Sequence, residues 1–139
     1  MAISGSIGIL MVDDTASFRE IVRSILEPYS NLRLLGEAVD GAEAVEKARE
    51  LKPDLILLDI GLPQIDGIEA ARRIIEFLPD TVIVFVSMQS STRVIQEALS
   101  TGAKGYVLKG SAGRDLWPAI QAAAGGDRFI SNQVSLALA

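Results

Sequence analysis

The 139-residue chain is 49% hydrophobic and carries a formal net charge of −5, with neither cysteine nor histidine. That suffices for one domain whose core is buried on both faces of a sheet, and it leaves no room for a second large domain. The acidic balance argues against a chain that grips nucleic acid by itself, and the two missing residue types exclude disulfides, the usual zinc sites, His-based triads and a phosphohistidine carried in cis.

Short apolar runs alternate with helix-period segments along the chain, the pattern of βα repeats feeding a parallel sheet. Residues 1–4 read as a flexible start. The first strand is expected at Ile7–Val12, followed by a helix whose apolar stripe is Phe18, Ile21, Val22, Ile25 and Leu26 and which Pro28 ends. A more polar strand at Leu32–Ala38 belongs at an edge, and Val45, Ala48 and Leu51 mark the second helix, closed by Pro53. A third strand follows at Asp54–Leu58, then a helix carrying Ile68, Ala71, Ile74, Ile75 and Leu78, for which Asp66–Gly67 supplies the turn and N-cap. The fourth pair is Thr81–Val86 with Val94, Ile95, Ala98 and Leu99, ending at Gly102. The fifth is Gly105–Leu108 with Leu116, Ile120 and Ala123, running out at Gly125–Gly126. Residues 5–126 form the expected domain, and 127–139 a tail or linker. The apolar runs are far too short to span a bilayer and no basic-then-apolar leader precedes them, so a soluble, cytoplasmic protein is the expectation.

In an open parallel sheet, ligands bind at the carboxyl ends of the strands. Here those ends carry Asp13–Asp14, Asp59, Ser87 and Lys109. Three carboxylates at one rim repel each other, which would keep at least one protonated unless a cation intervened. With oxygen ligands alone a hard ion is indicated, Mg²⁺ first and Mn²⁺ in its place. Lys109 then offers a point charge and Ser87 a hydroxyl to phosphate oxygens, while Asp is a nucleophile suited to an aspartyl-phosphate. Asp13–Asp14 has a second reading, as a cap for the helix containing Phe18.

The stretches Met11-Val12-Asp13-Asp14, Pro53 to Gly67, Val86-Ser87 and Gly102-Ala103-Lys104-Gly105-Tyr106-Val107-Leu108-Lys109 resemble the receiver domains of two-component response regulators. The resemblance implies a flavodoxin-like (βα)5 fold, a doubly wound parallel sheet in the order 2-1-3-4-5. It implies that Asp59 accepts the phosphoryl group from a sensor histidine kinase, and that Asp13, Asp14, Asp59 and the Gly61 carbonyl hold the metal. Lys109 and Ser87 would contact the phosphoryl group, with Ser87 and Tyr106 acting as the switch. The altered surface would be the fourth helix, fifth strand and fifth helix, a possible homodimer face to which Trp117 contributes, unless Trp117 simply packs. Tyr106 likewise has a plain reading, as a partly buried strand residue with a wet hydroxyl.

Two departures from the family pattern stand out: Gly110 follows Lys109 where Pro is common, and Met88 is large enough to narrow access to Asp59. The run Leu-Lys-Gly-Ser and the ending Gly-Gly-Asp-Arg-Phe-Ile-Ser are most like receivers that precede a LuxR-type helix-turn-helix output domain, which this chain does not contain. The expected role is a regulatory module, at most a slow autophosphatase. Two competitors share its chemistry or fold. An aspartate-nucleophile phosphohydrolase would carry Asp-x-Asp after the first strand, and a nucleotide or flavin binder would carry a Gly-rich loop there; neither motif is present.

Overall fold

Each strand sends alternate residues to opposite faces, and both faces are apolar, so helices must cover both. The structure, a computed structural model, describes residues 5–131. It runs β1 (Ile7–Val12), α1 (Ala16–Leu26), β2 (Leu32–Ala38), α2 (Gly41–Leu51), β3 (Leu55–Leu58), α3 (Gly67–Phe77), β4 (Val82–Ser87), α4 (Thr92–Leu99), β5 (Gly105–Leu108), α5 (Ala112–Ala124) and β6 (Phe129–Ile130). One face buries Leu10, Val12, Ile56, Leu58, Phe85 and Tyr106 against α2, α3 and α4. The other buries Ile9, Met11, Leu55, Leu57, Val84 and Val107 against α1 and α5. All pairings are parallel, in the order β2-β1-β3-β4-β5-β6. The order reverses at β1, so the switch-point crevice lies between the carboxyl ends of β1 and β3, directly above Asp13 and Asp59.

The strands fall within a residue of expectation. β3 starts one residue later, because the Asp54 carboxylate instead accepts from the Gly8 N–H at 2.7 Å, and β4 extends to include Ser87. β2 is the half-buried edge. Helix starts follow side-chain chemistry: Asp66 accepts from the Glu69 N–H at 2.9 Å, and Asp40 from the Glu43 N–H at 2.7 Å. At α1 the N-cap position belongs to Thr15 and not to Asp13 or Asp14, which removes the capping alternative. Ile21, expected in the buried stripe, is 50% exposed. Phe18, Val22, Ile25 and Leu26 already fill the contact with the sheet.

β6 was not expected. It lies within the segment read as a tail, and it extends the sheet past residue 126: Phe129 N–H donates to the Lys104 carbonyl at 2.9 Å and Ser131 N–H to that of Tyr106 at 3.0 Å. The wholly buried Ser131 hydroxyl donates to Asp115 on α5 at 2.8 Å and accepts from the Leu108 N–H at 3.3 Å. A two-residue strand is too short to carry a period, and the preceding Gly-Gly-Asp reads as a stop. Residues 1–4 and 132–139 lie outside the described residues.

Gly67 closes the loop after β3 against the backbone that carries Asp59. Its N–H donates to the Ile60 carbonyl at 2.8 Å, and a Cβ there would stand 1.9 Å from the Asp59 carbonyl oxygen. Gly67→Ala is expected to lower stability by about 3 kcal/mol, because the obstruction is backbone that cannot rotate aside. Urea denaturation would show this as a lower midpoint with the slope retained.

Candidate functional site

The strand ladders continue into the site. Asp13 N–H donates to the Ala38 carbonyl at 3.0 Å and Asp59 N–H to that of Val12 at 3.1 Å, which fixes both backbones before their side chains are placed. Asp13 and Asp59 are buried, at 2% and 6% exposure, while Asp14 faces solvent. One oxygen from each of the three carboxylates lies within 4.8 Å of the others.

Each buried carboxylate divides its oxygens between two tasks. Asp13 Oδ1 accepts from the Thr15 N–H at 2.8 Å and Asp59 Oδ1 from the Ile60 N–H at 2.7 Å. Their Oδ2 atoms share Lys109, whose Nζ lies 2.7 Å from Asp13 and 2.9 Å from Asp59, above the Phe18 ring. Burial works against the Lys109 ammonium, but the bonds and charges of Asp13 and Asp59 outweigh it and hold its pKa above the ordinary value.

One ammonium among three carboxylates leaves negative charge unbalanced. An oxygen-only donor set, part buried and part open, fits a hard divalent cation that keeps water and phosphate oxygens in its remaining positions. Gly61 lies in the same loop as Asp59, two residues on, with open space where a Cβ would stand.

Ser87 is 1% exposed, and its hydroxyl accepts from the Gln89 N–H at 3.1 Å. Tyr106 is wholly buried, and its hydroxyl donates to the Gln89 carbonyl at 2.7 Å, so the wet-hydroxyl reading fails. Burial raises the Tyr106 pKa; the nearby Ser87 hydroxyl pulls the other way, and the Asp59 charge adds to the rise. Met88, expected to narrow access to Asp59, is 80% exposed and projects into solvent beside a shallow depression lined by Ser90, Leu108, Lys109, Gly110 and Ser111. Gly110 lies in a single 3-10 turn, Lys109–Ser111, that leads into α5. Trp117 stacks on Tyr29 with ring centroids 3.9 Å apart and planes 9° apart, which favours its packing role.

A groove of about 510 Å³ opens at the amino ends of β1, β3 and β4, among Ile7, Pro53, Phe77 and Val82, and contains none of these site residues. Sequence reasoning also missed Arg19 and Glu37, which support the Asp13 backbone from α1 and β2. Charges on a helix face and an edge strand ordinarily signal only solvated surface.

The switch point of this parallel α/β sheet thus gathers three carboxylates and the lysine that bridges two of them. The chain belongs to the response regulator receiver domain family, which matches residues 9–121. It is 36% identical over 133 residues to the response regulator GacA of Pseudomonas viridiflava, covering 96% of this chain and 62% of that protein. It is 34% identical to the nitrate/nitrite response regulator NarL of Escherichia coli K12, covering 94% and 61%. The crystal structure of a LuxR-family two-component response regulator from Aurantimonas sp. SI85-9A1 superposes with a TM-score of 0.91 at 32% identity, covering 96% of each chain. The chain thus spans about three fifths of the length of these curated relatives. They are regulators, which sets the phosphohydrolase and nucleotide-binder readings aside. Receivers of this kind bind Mg²⁺ at an acidic pocket and partner with histidine kinases. Among the described residues, no helix is long and apolar enough to cross a membrane.

Proposed function

We propose that Asp59 is the phosphate-accepting residue of this receiver and that a sensor histidine kinase is its donor. The observation that carries the reading is the position of Lys109, within 3 Å of both Asp13 and Asp59 at the switch-point crevice. An Asp59 oxygen attacks phosphorus, the bond from phosphorus to the donor breaks, and the donor group leaves with that electron pair. Lys109 moves its hydrogen bonds onto a phosphoryl oxygen, and the Ser87 hydroxyl turns to donate to another. Asp13, Asp14, Asp59 and the Gly61 carbonyl would hold Mg²⁺, or Mn²⁺. The bound cation would neutralise charge developing on the phosphoryl oxygens.

The readout follows from the second partner of Ser87. A rotation of its hydroxyl toward phosphate releases the Gln89 N–H, and Gln89 also holds Tyr106, so the loop before α4 and the buried ring respond together. The altered surface is then α4, β5 and α5, which serves an output domain regulating transcription and, on this reading, a homodimer contact. This chain does not itself bind nucleic acid or membrane, and it works in the cytoplasm. The test is incubation with acetyl phosphate and Mg²⁺, followed by intact-mass and fragment analysis. One phosphoryl group on the Pro53–Gly67 segment, prevented by EDTA, supports the reading; no uptake, or uptake elsewhere, overturns it.

A further inference from the structure

Asp13 and Asp14 are joined by one peptide group, and the direction of both carboxylates depends on how that group is held. The Asp13 N–H is secured by the ladder to β2, at the Ala38 carbonyl. Its carbonyl is secured from α1: the Arg19 guanidinium donates to it at 2.7 Å. The same guanidinium, through Nε, donates to Glu37 Oε1 at 3.0 Å, so one planar group is fixed at two points. Glu37 is itself held, since its other oxygen accepts from Arg23 and its carbonyl from Lys47. The Arg19 side chain is only 17% exposed, unlike a freely solvated surface arginine.

We infer that Arg19 is a positioning residue for the cation: it clamps the Asp13–Asp14 peptide so that the carboxylates converge, and Glu37 holds the clamp. The inference rests on the reading of Asp13, Asp14 and Asp59 as a divalent-cation site. Residues that orient ligands without touching the metal commonly change affinity by about 10–100-fold when removed.

Charge alone predicts the opposite sign. Removing a cation near an acidic pocket, and leaving Glu37 less compensated, would draw Mg²⁺ in more strongly. The two accounts therefore separate on the direction of the change.

The experiment is isothermal titration of the full chain with MgCl₂, using wild type, Arg19→Ala, Arg19→Lys and Glu37→Gln, each checked for folding by circular dichroism. Arg19→Ala is expected to bind Mg²⁺ about 10-fold more weakly. Arg19→Lys, which keeps the charge but cannot span both acceptors, should recover only part of the loss. Should Arg19→Ala not fold, Arg19→Lys carries the test, because at unchanged charge it weakens binding only if the two bonds of the guanidinium position the peptide; Glu37→Gln serves as a control, since losing an anion weakens binding on either account. Affinity unchanged or tightened in the folded Arg19 variants overturns the positioning role, and so does full recovery in Arg19→Lys. A wild-type chain that takes up no Mg²⁺ instead overturns the cation-site reading itself.

Discussion

Asp59→Asn is expected to take up no phosphoryl group under conditions in which wild type takes up one. The substitution preserves shape and removes reactivity. An Asn side-chain oxygen can still accept from the Ile60 N–H that now holds Asp59 Oδ1 at 2.7 Å. Lys109 keeps its partner Asp13 at 2.7 Å. What disappears is the anionic oxygen able to attack phosphorus. Removing one of three crowded carboxylates also relieves repulsion, which offsets part of the lost ion pair with Lys109. The variant should therefore fold with wild-type circular dichroism, and intact mass after treatment with acetyl phosphate and Mg²⁺ should match the untreated protein. Equal labelling of variant and wild type would rule Asp59 out as the acceptor.

Lys109→Ala should be impaired in two separable ways. Without Lys109 the buried Asp13 and Asp59 lose their common counter-charge, and breaking a buried ion pair in this way costs about 4 kcal/mol. Because Mg²⁺ would bind only the folded protein, millimolar MgCl₂ should restore much of this in thermal melts, and restore more in the variant than in wild type. Phosphorylation should remain slow even with the fold restored, by roughly 10²-fold, since the positive charge on the phosphoryl oxygen is gone. Alkaline pH gives a further check. A folded-state pKa above the ordinary 10.5 means that the Lys109 contribution is complete below that pH and is lost as pH rises through the folded value. Wild-type stability should fall in that alkaline window, and Lys109→Ala should lack that part of the fall. A variant as stable as wild type without Mg²⁺ would show that the bridge contributes little.

The five main strands were legible because parallel strands covered on both faces need unbroken apolar runs, and such runs stand out from amphipathic helices. The rim was legible for a related reason. Once the strand ends were known, parallel topology brought Asp13, Asp14, Asp59, Ser87 and Lys109 to one edge. Other features depend on partners that local sequence does not specify. Ile21 fits the stripe of α1, but the sheet beneath has room for only part of that stripe. Gly67 reads as an ordinary turn residue; the demand for glycine comes from the Asp59 carbonyl packed against it. Tyr106 is held by the Gln89 main chain, a contact any residue at position 89 could supply. Arg19 and Glu37 are single charges on separate elements, and only the crossing of α1 with β2 turns them into a clamp.

The short sixth strand has a consequence for how the molecule behaves among its own copies. Phe129–Ile130 occupies the outer side of β5 and answers the Lys104 and Tyr106 carbonyls that otherwise face water. A chain stopped at residue 126 would leave a flat, largely apolar strand margin, Gly105–Leu108, ready to accept a neighbour's backbone. Light scattering on the shortened chain should find stronger concentration-dependent self-association than the full chain shows. Two residues at the margin of the sheet thus guard it against indiscriminate pairing.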